Sequence, residues 1–292
     1  MSDDCLQWLG ERPRLHEPVM VVMLTGWIDA GGAARAAIET VCEEAQATVV
    51  AVLDDDLFID FRARRPTMEL RDGLNSVLRW DHITVAVGHD LDGRDLVVLH
   101  GPEPDMSWHR FTRVIGQLAA DLGIVRMAHL GAYPFATPHT RPARLSVTSP
   151  SQDVLARVPF LRSSIDVPGG VAASLEHEFH GRGIPCLGIW VQVPHYVAAM
   201  AYPAASLALI DGLREATGLV FDAPGLRRDV TTQRQRLDSL IGSNDDHAKM
   251  VAQLEQIHDS ADHAFPTDQP SLEMRSGDEL AAELEAFLRD QD

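Results

Sequence analysis

Apolar and polar positions alternate in two different rhythms along the first 224 residues. Strand-length apolar runs are separated by segments whose apolar residues recur every three to four positions, which is typical of amphipathic helices. The predicted strands are Pro18–Leu24, Thr48–Leu53, His82–Gly88, Arg94–His100, Val125–Ala132 and Ile184–Val193. The predicted helices are Gly31–Gln46, Ser107–Leu122, Val171–Gly181 and Pro203–Thr217. This alternation predicts an α/β fold built on one sheet.

One connection between predicted strands is too short for a parallel crossover. Only His89–Gly93 separates the third strand from the fourth, and Asp92–Gly93 is a strong signal for a tight hairpin turn. These two strands should therefore run antiparallel, which makes the sheet mixed. Short segments at Phe58–Arg62 and Thr67–Leu70 indicate an additional small ribbon or edge element.

The pattern changes at about residue 224, and three units are predicted. Residues 1–224 form the α/β domain, and residues 225–264 have helical periodicity that breaks at Gly242–Asp245, which predicts an appended helical hairpin. Residues 265–292 begin with a Pro-rich linker and continue into a short amphipathic helix. From Ser243 to Asp292 there are 13 acids and 3 bases. This acidic tail is either a solvated face or a docking element for a basic partner.

Composition and charge exclude several classes of binding and catalytic site. The chain is 45% hydrophobic, which is a globular composition. Its net charge of −18 argues against nucleic-acid binding, because phosphate contacts need clustered cations. Its single lysine is Lys249, outside the predicted α/β domain. A P-loop, a PLP Schiff base and a lysine-activated serine are therefore excluded from that domain.

Cysteine usage and hydropathy predict the compartment. Cys5, Cys42 and Cys186 are odd in number and widely spaced, so they predict neither a disulfide framework nor a thiolate zinc site. No apolar run approaches the ~20 residues of a membrane span, and no signal-peptide pattern is present. We therefore expect a cytoplasmic protein with no membrane partner.

The loop after the first strand carries a glycine pair. Gly31 and Gly32 could present backbone N–H groups to an anion at the start of the following helix. Alternatively, Asp29 caps that helix and the glycines only let helix and sheet approach closely. The spacing matches neither the Rossmann nor the P-loop pattern.

The loop after the fourth strand contains His100 and Glu103, which could form an acid/base pair. Pro102 and Pro104 stiffen the same segment, and a rigid loop that places Trp108 in the core explains these residues equally well.

Residues 131–142 are the most unusual segment, with three prolines and a histidine–arginine pair that looks exposed. His139 and Arg141 at the carboxyl end of a strand would suit an oxyanion or a peptide carboxylate. A preorganised recognition loop built on Tyr133, Thr140 and the prolines is the alternative.

The helix at Val171–Gly181 places Glu176, His177 and His180 within one turn of each other. The zincin motif needs histidines four positions apart, whereas these two are three apart and no further ligand is identifiable. We therefore predict no metal and no cofactor.

Four of these motifs together resemble the PAC2 (proteasome assembly chaperone 2) family, over about residues 15–220. The appended helices resemble its actinobacterial branch. The motifs are Gly26–Gly31, Gly101–Pro104 with Trp108 and Phe111, Pro138–Pro142, and Gly183–Pro185 leading to Trp190–Val191.

The resemblance implies a phosphorylase/hydrolase-like core, and relatives that dock on proteasome α subunits as chaperones. Their docking signal is a C-terminal hydrophobic–Tyr–X tail. The ending Phe287–Asp292 does not match it.

Two functional hypotheses follow. The first is a non-enzymatic assembly chaperone or adaptor that forms a homo-oligomer and binds a protein partner, such as proteasome subunits. The second is an enzyme, similar to nucleoside phosphorylases or hydrolases, that uses the pocket of the same fold. The candidate ligand- or partner-binding residues are Asp29, Gly31, Gly32, Glu103, Tyr133, His139, Thr140 and Arg141.

Overall fold

The computed structural model describes residues 5–263 and places eight strands in one large sheet. Two further strands form a separate ribbon. The strands are β1 (Leu6–Trp8), β2 (Val19–Thr25), β3 (Thr48–Leu53), β4 (Thr67–Arg71), β5 (Leu74–Arg79), β6 (Thr84–His89), β7 (Asp95–Pro102), β8 (Arg126–Phe135), β9 (Leu145–Thr148) and β10 (Cys186–Pro194). The large sheet has the order β1-β3-β6-β7-β2-β8-β10-β9.

The centre of the sheet is parallel and its flanks are antiparallel. β7, β2, β8 and β10 run in one direction, so their carboxyl ends lie at the same edge. β6 pairs antiparallel with β7 through the predicted tight turn, with His89 opposite Asp95. The prediction of a mixed α/β fold is confirmed.

Helices cover both faces of the sheet. They are α1 (Ala33–Glu44), α2 (Asp55–Phe58), α3 (Trp108–Leu122), α4 (Gln152–Leu155), α5 (Val171–Gly181), α6 (Pro203–Thr217), α7 (Pro224–Gly242) and α8 (Asp245–His263). Alternate residues of β2 enter two different cores, since strand side chains alternate between faces. Val21 joins the core under α1 and α6, and Val22 joins the core under α3 and α5.

Three local predictions differ from the structure. Phe58–Arg62 is not a strand: Phe58 ends α2, and the ribbon partner of β4 is instead β5. β1 and β9 were not predicted. They have only three and four residues, too few to show a clear alternation of apolar and polar positions.

The C-terminal helices α7 and α8 lie against α6 and the loops beyond β8. α7 begins with Pro224 in its first turn and buries Leu226 and Leu237. The chain reverses at Ser243 and Asn244, and the Asn244 side chain accepts hydrogen bonds from the first turn of α8. The predicted tail, residues 265–292, lies outside the described residues. None of the described helices is both long and apolar enough to cross a membrane.

Candidate functional site

Four loops leave the carboxyl edge of the parallel strands, where α/β folds usually bind ligands. They follow β2, β7, β8 and β10. The loops after β2, β7 and β8 carry the candidate ligand- or partner-binding residues except Tyr133, which lies within β8.

The loop after β2 is a compact turn that caps α1. The Asp29 carboxylate accepts hydrogen bonds from the Ala34 N–H at 2.8 Å and the Arg35 N–H at 3.1 Å. Burial raises the pKa of Asp29. Gly31 has φ 63°, and a Cβ there would lie 3.0 Å from the Met200 carbonyl oxygen.

The glycine N–H groups of this turn bond within the chain. Gly31 N–H donates to the Ala198 carbonyl at 2.7 Å, and Gly32 N–H donates to the Asp29 carbonyl at 3.0 Å. Both N–H groups therefore have partners within the chain, which agrees with a structural role of the glycines in the turn.

Glu103 caps a different helix. Its buried carboxylate accepts a hydrogen bond from the Val171 N–H at 2.6 Å, at the first residue of α5. His100 contacts the Thr84 hydroxyl at 3.0 Å instead, and burial lowers its pKa. Within the described residues His100 and Glu103 share no hydrogen bond, so they do not form an acid/base pair there.

Tyr133 lies at the end of β8 and bonds to neighbouring strands. Its hydroxyl contacts the Ser146 hydroxyl at 3.2 Å and accepts from the Gln192 amide at 3.1 Å. Its ring packs edge-on against Phe135, with centroids 6.0 Å apart.

His139 is buried, whereas the sequence pattern indicated an exposed side chain. Its backbone N–H donates to the Tyr196 hydroxyl oxygen at 2.8 Å, and its Nδ1 lies 2.8 Å from the same oxygen. Its Nε2 lies 3.2 Å from Asp238 Oδ1, on α7. Burial raises the pKa of Tyr196 to about 12, so the tyrosine keeps its hydroxyl proton at neutral pH.

Arg141 binds two carboxylates of α8. Its Nε and Nη2 donate to the two oxygens of Asp259, both at 2.8 Å, and its Nη1 donates to Glu255 Oε1 at 3.1 Å. The Thr140 hydroxyl also donates to Glu255. The fork-shaped contact with Asp259 is the bidentate geometry that favours arginine over lysine.

The hydrogen bond from Arg141 lowers the pKa of Asp259. Because the carboxyl pKa is lowered, the contact stabilises the docked helix fully at pH values above the ordinary carboxyl pKa of 3.8. That contribution is lost as the pH falls through the lowered value.

Two more arginines complete this contact. Arg144 Nη2 donates to the His258 carbonyl at 2.7 Å, and Arg234 of α7 donates to the Thr140 carbonyl at 3.3 Å. We call residues Pro138–Arg144 the clamp loop, because they hold both α7 and α8. The carboxylates that Arg141 contacts therefore belong to the same chain.

The candidate residues do not converge on one pocket. His139 and Arg141 line a cavity of about 430 Å³ between the clamp loop, α6 and α7. Asp29, Gly31 and Gly32 line a second cavity of about 550 Å³ near the start of α6. Glu103 and Tyr133 line neither cavity.

Comparison with known proteins identifies the family. The model of the PAC2 family matches residues 23–241, about three quarters of the chain. The chain belongs to the PAC2 family. The resemblance carried by the Pro138–Pro142 motif is therefore confirmed, although this PAC2 chain uses that motif to hold its own C-terminal helices.

Solved structures resemble this PAC2 protein over most of their length. A Corynebacterium glutamicum protein of unknown function is 28% identical, with 90% of this chain and 100% of that chain covered and a TM-score of 0.84. A Streptomyces avermitilis PAC2 family protein is 32% identical, with coverage of 80% and 99% and a TM-score of 0.72. A Mycobacterium tuberculosis proteasome-assembly chaperone homologue is 27% identical, with coverage of 80% and 99% and a TM-score of 0.74. No curated protein matches the chain significantly.

A polar network between the sheet and α5, with His129 and Glu176 buried at its centre, was not predicted. His129 Nε2 lies 2.7 Å from Glu176 Oε1, and the Thr148 hydroxyl donates to the same oxygen at 2.7 Å. The Trp190 indole donates to Thr148 at 3.2 Å. Glu176 was considered only as a metal ligand beside His180, but the PAC2 fold turns it towards β8. No cluster of three or more metal-ligating side chains occurs among residues 5–263.

One signal in the sequence could have found Glu176. Val171, Leu175 and Phe179 define the apolar face of α5, and Glu176 follows directly after Leu175 on the edge of that face. A glutamate beside a buried helix face needs a partner in the core.

Two cysteine side chains of the PAC2 protein, Cys42 and Cys186, are poorly suited to nucleophilic chemistry. Burial raises the pKa of Cys42 to about 11 and that of Cys186 to about 12. Because the thiolate is the reactive form, both groups are unreactive at neutral pH.

Proposed function

We propose that this PAC2-family protein is a non-enzymatic assembly chaperone or adaptor of the cytoplasm that self-associates and binds protein partners. Proteasome subunits are the first partners to test, because a relative that aligns over 99% of its length is a proteasome-assembly chaperone homologue. The observation that carries the proposal is the exposed apolar surface of the β4–β5 ribbon.

The ribbon exposes five large apolar side chains. Met68, Leu70, Leu74, Val77 and Leu78 are between 40% and 68% exposed. A two-stranded ribbon is marginally stable by itself in water, and exposed apolar surface of this kind usually marks a protein interface.

One face of the ribbon, here called the apolar face, carries Met68, Leu70 and Leu78. The other carries Glu69, Arg71 and Arg79 together with Leu74 and Val77. Met68 lies opposite Leu78, and Leu70 shares their face because side chains two positions apart point the same way. Glu69 pairs with Arg71 and Arg79 on the opposite face. Met68, Leu70 and Leu78 are about half exposed, so no described element covers the apolar face.

Charge favours a second copy of the chain as the occupant. Residues 62–80 contain five arginines and two acids, in a chain whose net charge is −18. Opposite potentials on two surfaces of one molecule promote association between copies.

The enzyme hypothesis has less support, because His139 and Arg141 are already engaged within the chain. His139 is bonded to Tyr196 and Asp238, and Arg141 is bonded to Glu255 and Asp259. A substrate that needs these groups would have to replace contacts within the chain.

Substitution of the apolar face by serines, in the Met68→Ser/Leu70→Ser/Leu78→Ser variant, is expected to dissociate the oligomer. Light scattering should give a multiple of 32.1 kDa for the wild type and a mass near 32.1 kDa for the variant. The thermal midpoint of the monomer should change little, because these side chains bury little surface within the chain.

The matched control is Leu240→Ser/Ile257→Ser, which removes two apolar side chains that are 63% and 60% exposed on α7 and α8. Its mass should equal that of the wild type. A wild-type protein that remains at 32.1 kDa across the concentration range would contradict self-association.

A further inference from the structure

α8 presents its carboxylates to the clamp loop at a one-turn spacing. Glu255 and Asp259 are four residues apart, so they lie on the same face of the helix. Arg141 contacts both carboxylates, and Thr140 contacts Glu255. The clamp loop therefore recognises a helix by a pair of carboxylates one turn apart.

The receptor side of this contact is rigid without help from α8. Pro138 and Pro142 restrict the backbone at both ends of the motif. The bonds of His139 to Tyr196 fix its middle from the loop after β10. A preorganised loop loses little conformational freedom when a ligand binds, which favours recognition.

α8 buries Val251 and Leu254 but, unlike α7, contributes to neither main hydrophobic core. Leu226 and Leu237 of α7 belong to the main hydrophobic core, whereas neither core contains a residue of α8 from its described side chains. Its contacts with Arg141 are only partly buried, with the arginine about one third exposed. Partly exposed ion pairs contribute little net stability, so exchange for an equivalent ligand has a low cost.

We propose that the clamp loop is a receptor for an acidic helical segment of a partner protein, and that α8 occupies this receptor in cis until such a segment displaces it. The partner segment carries two carboxylates one turn apart for Arg141 and Thr140. Apolar residues one and four positions before the first carboxylate replace Leu254 and Val251, which are buried on α8. This surface adds to the proposed function and is separate from the ribbon.

The test uses the full chain with α8 made unable to compete. Glu255→Gln/Asp259→Asn keeps the shape of both side chains and removes their charge. The probe is a fluorescein-labelled peptide with the sequence of residues 245–263, and binding is measured by anisotropy at low salt. Asp245→Asn/Asp246→Asn is the matched control, because it removes the same charge from the exposed start of α8.

The Glu255→Gln/Asp259→Asn protein should bind the peptide about tenfold or more tighter than the wild type, because a larger fraction of its clamp loops is free. The Asp245→Asn/Asp246→Asn protein should bind like the wild type. Addition of Arg141→Gln to the first variant should abolish binding of the peptide. A peptide in which both carboxylates are neutralised should not bind the first variant.

Two results would overturn the proposal. One is equal affinity of the wild type and the Glu255→Gln/Asp259→Asn protein for the peptide, and the other is equal affinity of that variant for the charged and neutralised peptides. If the double variant fails to fold, the single variant Asp259→Asn provides the same comparison with a smaller gain. All these proteins keep the ribbon intact, so failure here leaves the self-association test unaffected.

Discussion

The Glu176→Ala variant is expected to lose about 3–5 kcal/mol of its free energy of unfolding, because it breaks a buried pair and leaves the partner without compensation. Glu176 and His129 have side chains only 7% and 3% exposed, and Thr148 donates to the same carboxylate. Removal of the carboxylate leaves the buried imidazole of His129 without this hydrogen-bond partner. Urea unfolding followed by circular dichroism measures the loss.

Glu178→Ala is the matched control on the same helix. Glu178 pairs with Arg182 at 2.7 Å, and both side chains are partly exposed. A pair of this kind contributes under about 1 kcal/mol. Equal losses for the two variants would show that the buried pair contributes no more to the free energy of unfolding than the partly exposed pair.

The Gly101→Ala variant is expected to lose about 3 kcal/mol or more, through backbone strain and steric overlap together. Gly101 has φ 137°, which residues with a side chain rarely adopt. A Cβ there would overlap the His82 carbonyl oxygen and lie 2.8 Å from the Ile83 Cα. The same free-energy measurement applies, and a well-formed thermal transition would verify that the variant is folded.

Gly123→Ala separates strain from overlap. Gly123 also has a positive φ, 70°, but a Cβ there would meet nothing within 4 Å. Its substitution should cost only the left-handed strain of about 1–2 kcal/mol. A loss for Gly101→Ala no greater than that for Gly123→Ala would mean that the His82–Ile83 segment before β6 moves aside without cost.

The central sheet could be predicted from sequence because its strands are mainly apolar. Val19–Thr25 and Cys186–Pro194 lie between helices and are buried over nearly their whole length. Such continuous apolar runs are typical of parallel strands covered on both faces. Only one strand of the ribbon, β4, was predicted. β5 is exposed along its whole length, so it lacks the alternation of buried and exposed positions that marks a strand.

For Arg141 the sequence offered an oxyanion or a peptide carboxylate as ligand, or a place in a recognition loop, and it did not indicate a contact within the chain. In the structure Arg141 binds a carboxylate of α8. The ligand, Asp259, is 118 residues away in sequence, and nothing in the local pattern of either segment specifies that pairing. His129 and Glu176 were missed for the same reason, since 47 residues separate them.

Hydrogen exchange over α8 most directly tests whether the clamp loop holds the C-terminal hairpin. In Arg141→Ala, the amides of residues 248–259 should exchange about tenfold or more faster than in the wild type, because local opening costs less. Exchange in α3 and β8 should stay unchanged. Arg35→Ala, which breaks an exposed pair with Glu39 on α1, should leave α8 protected as in the wild type. Unchanged protection of α8 in Arg141→Ala would contradict the role assigned to the loop.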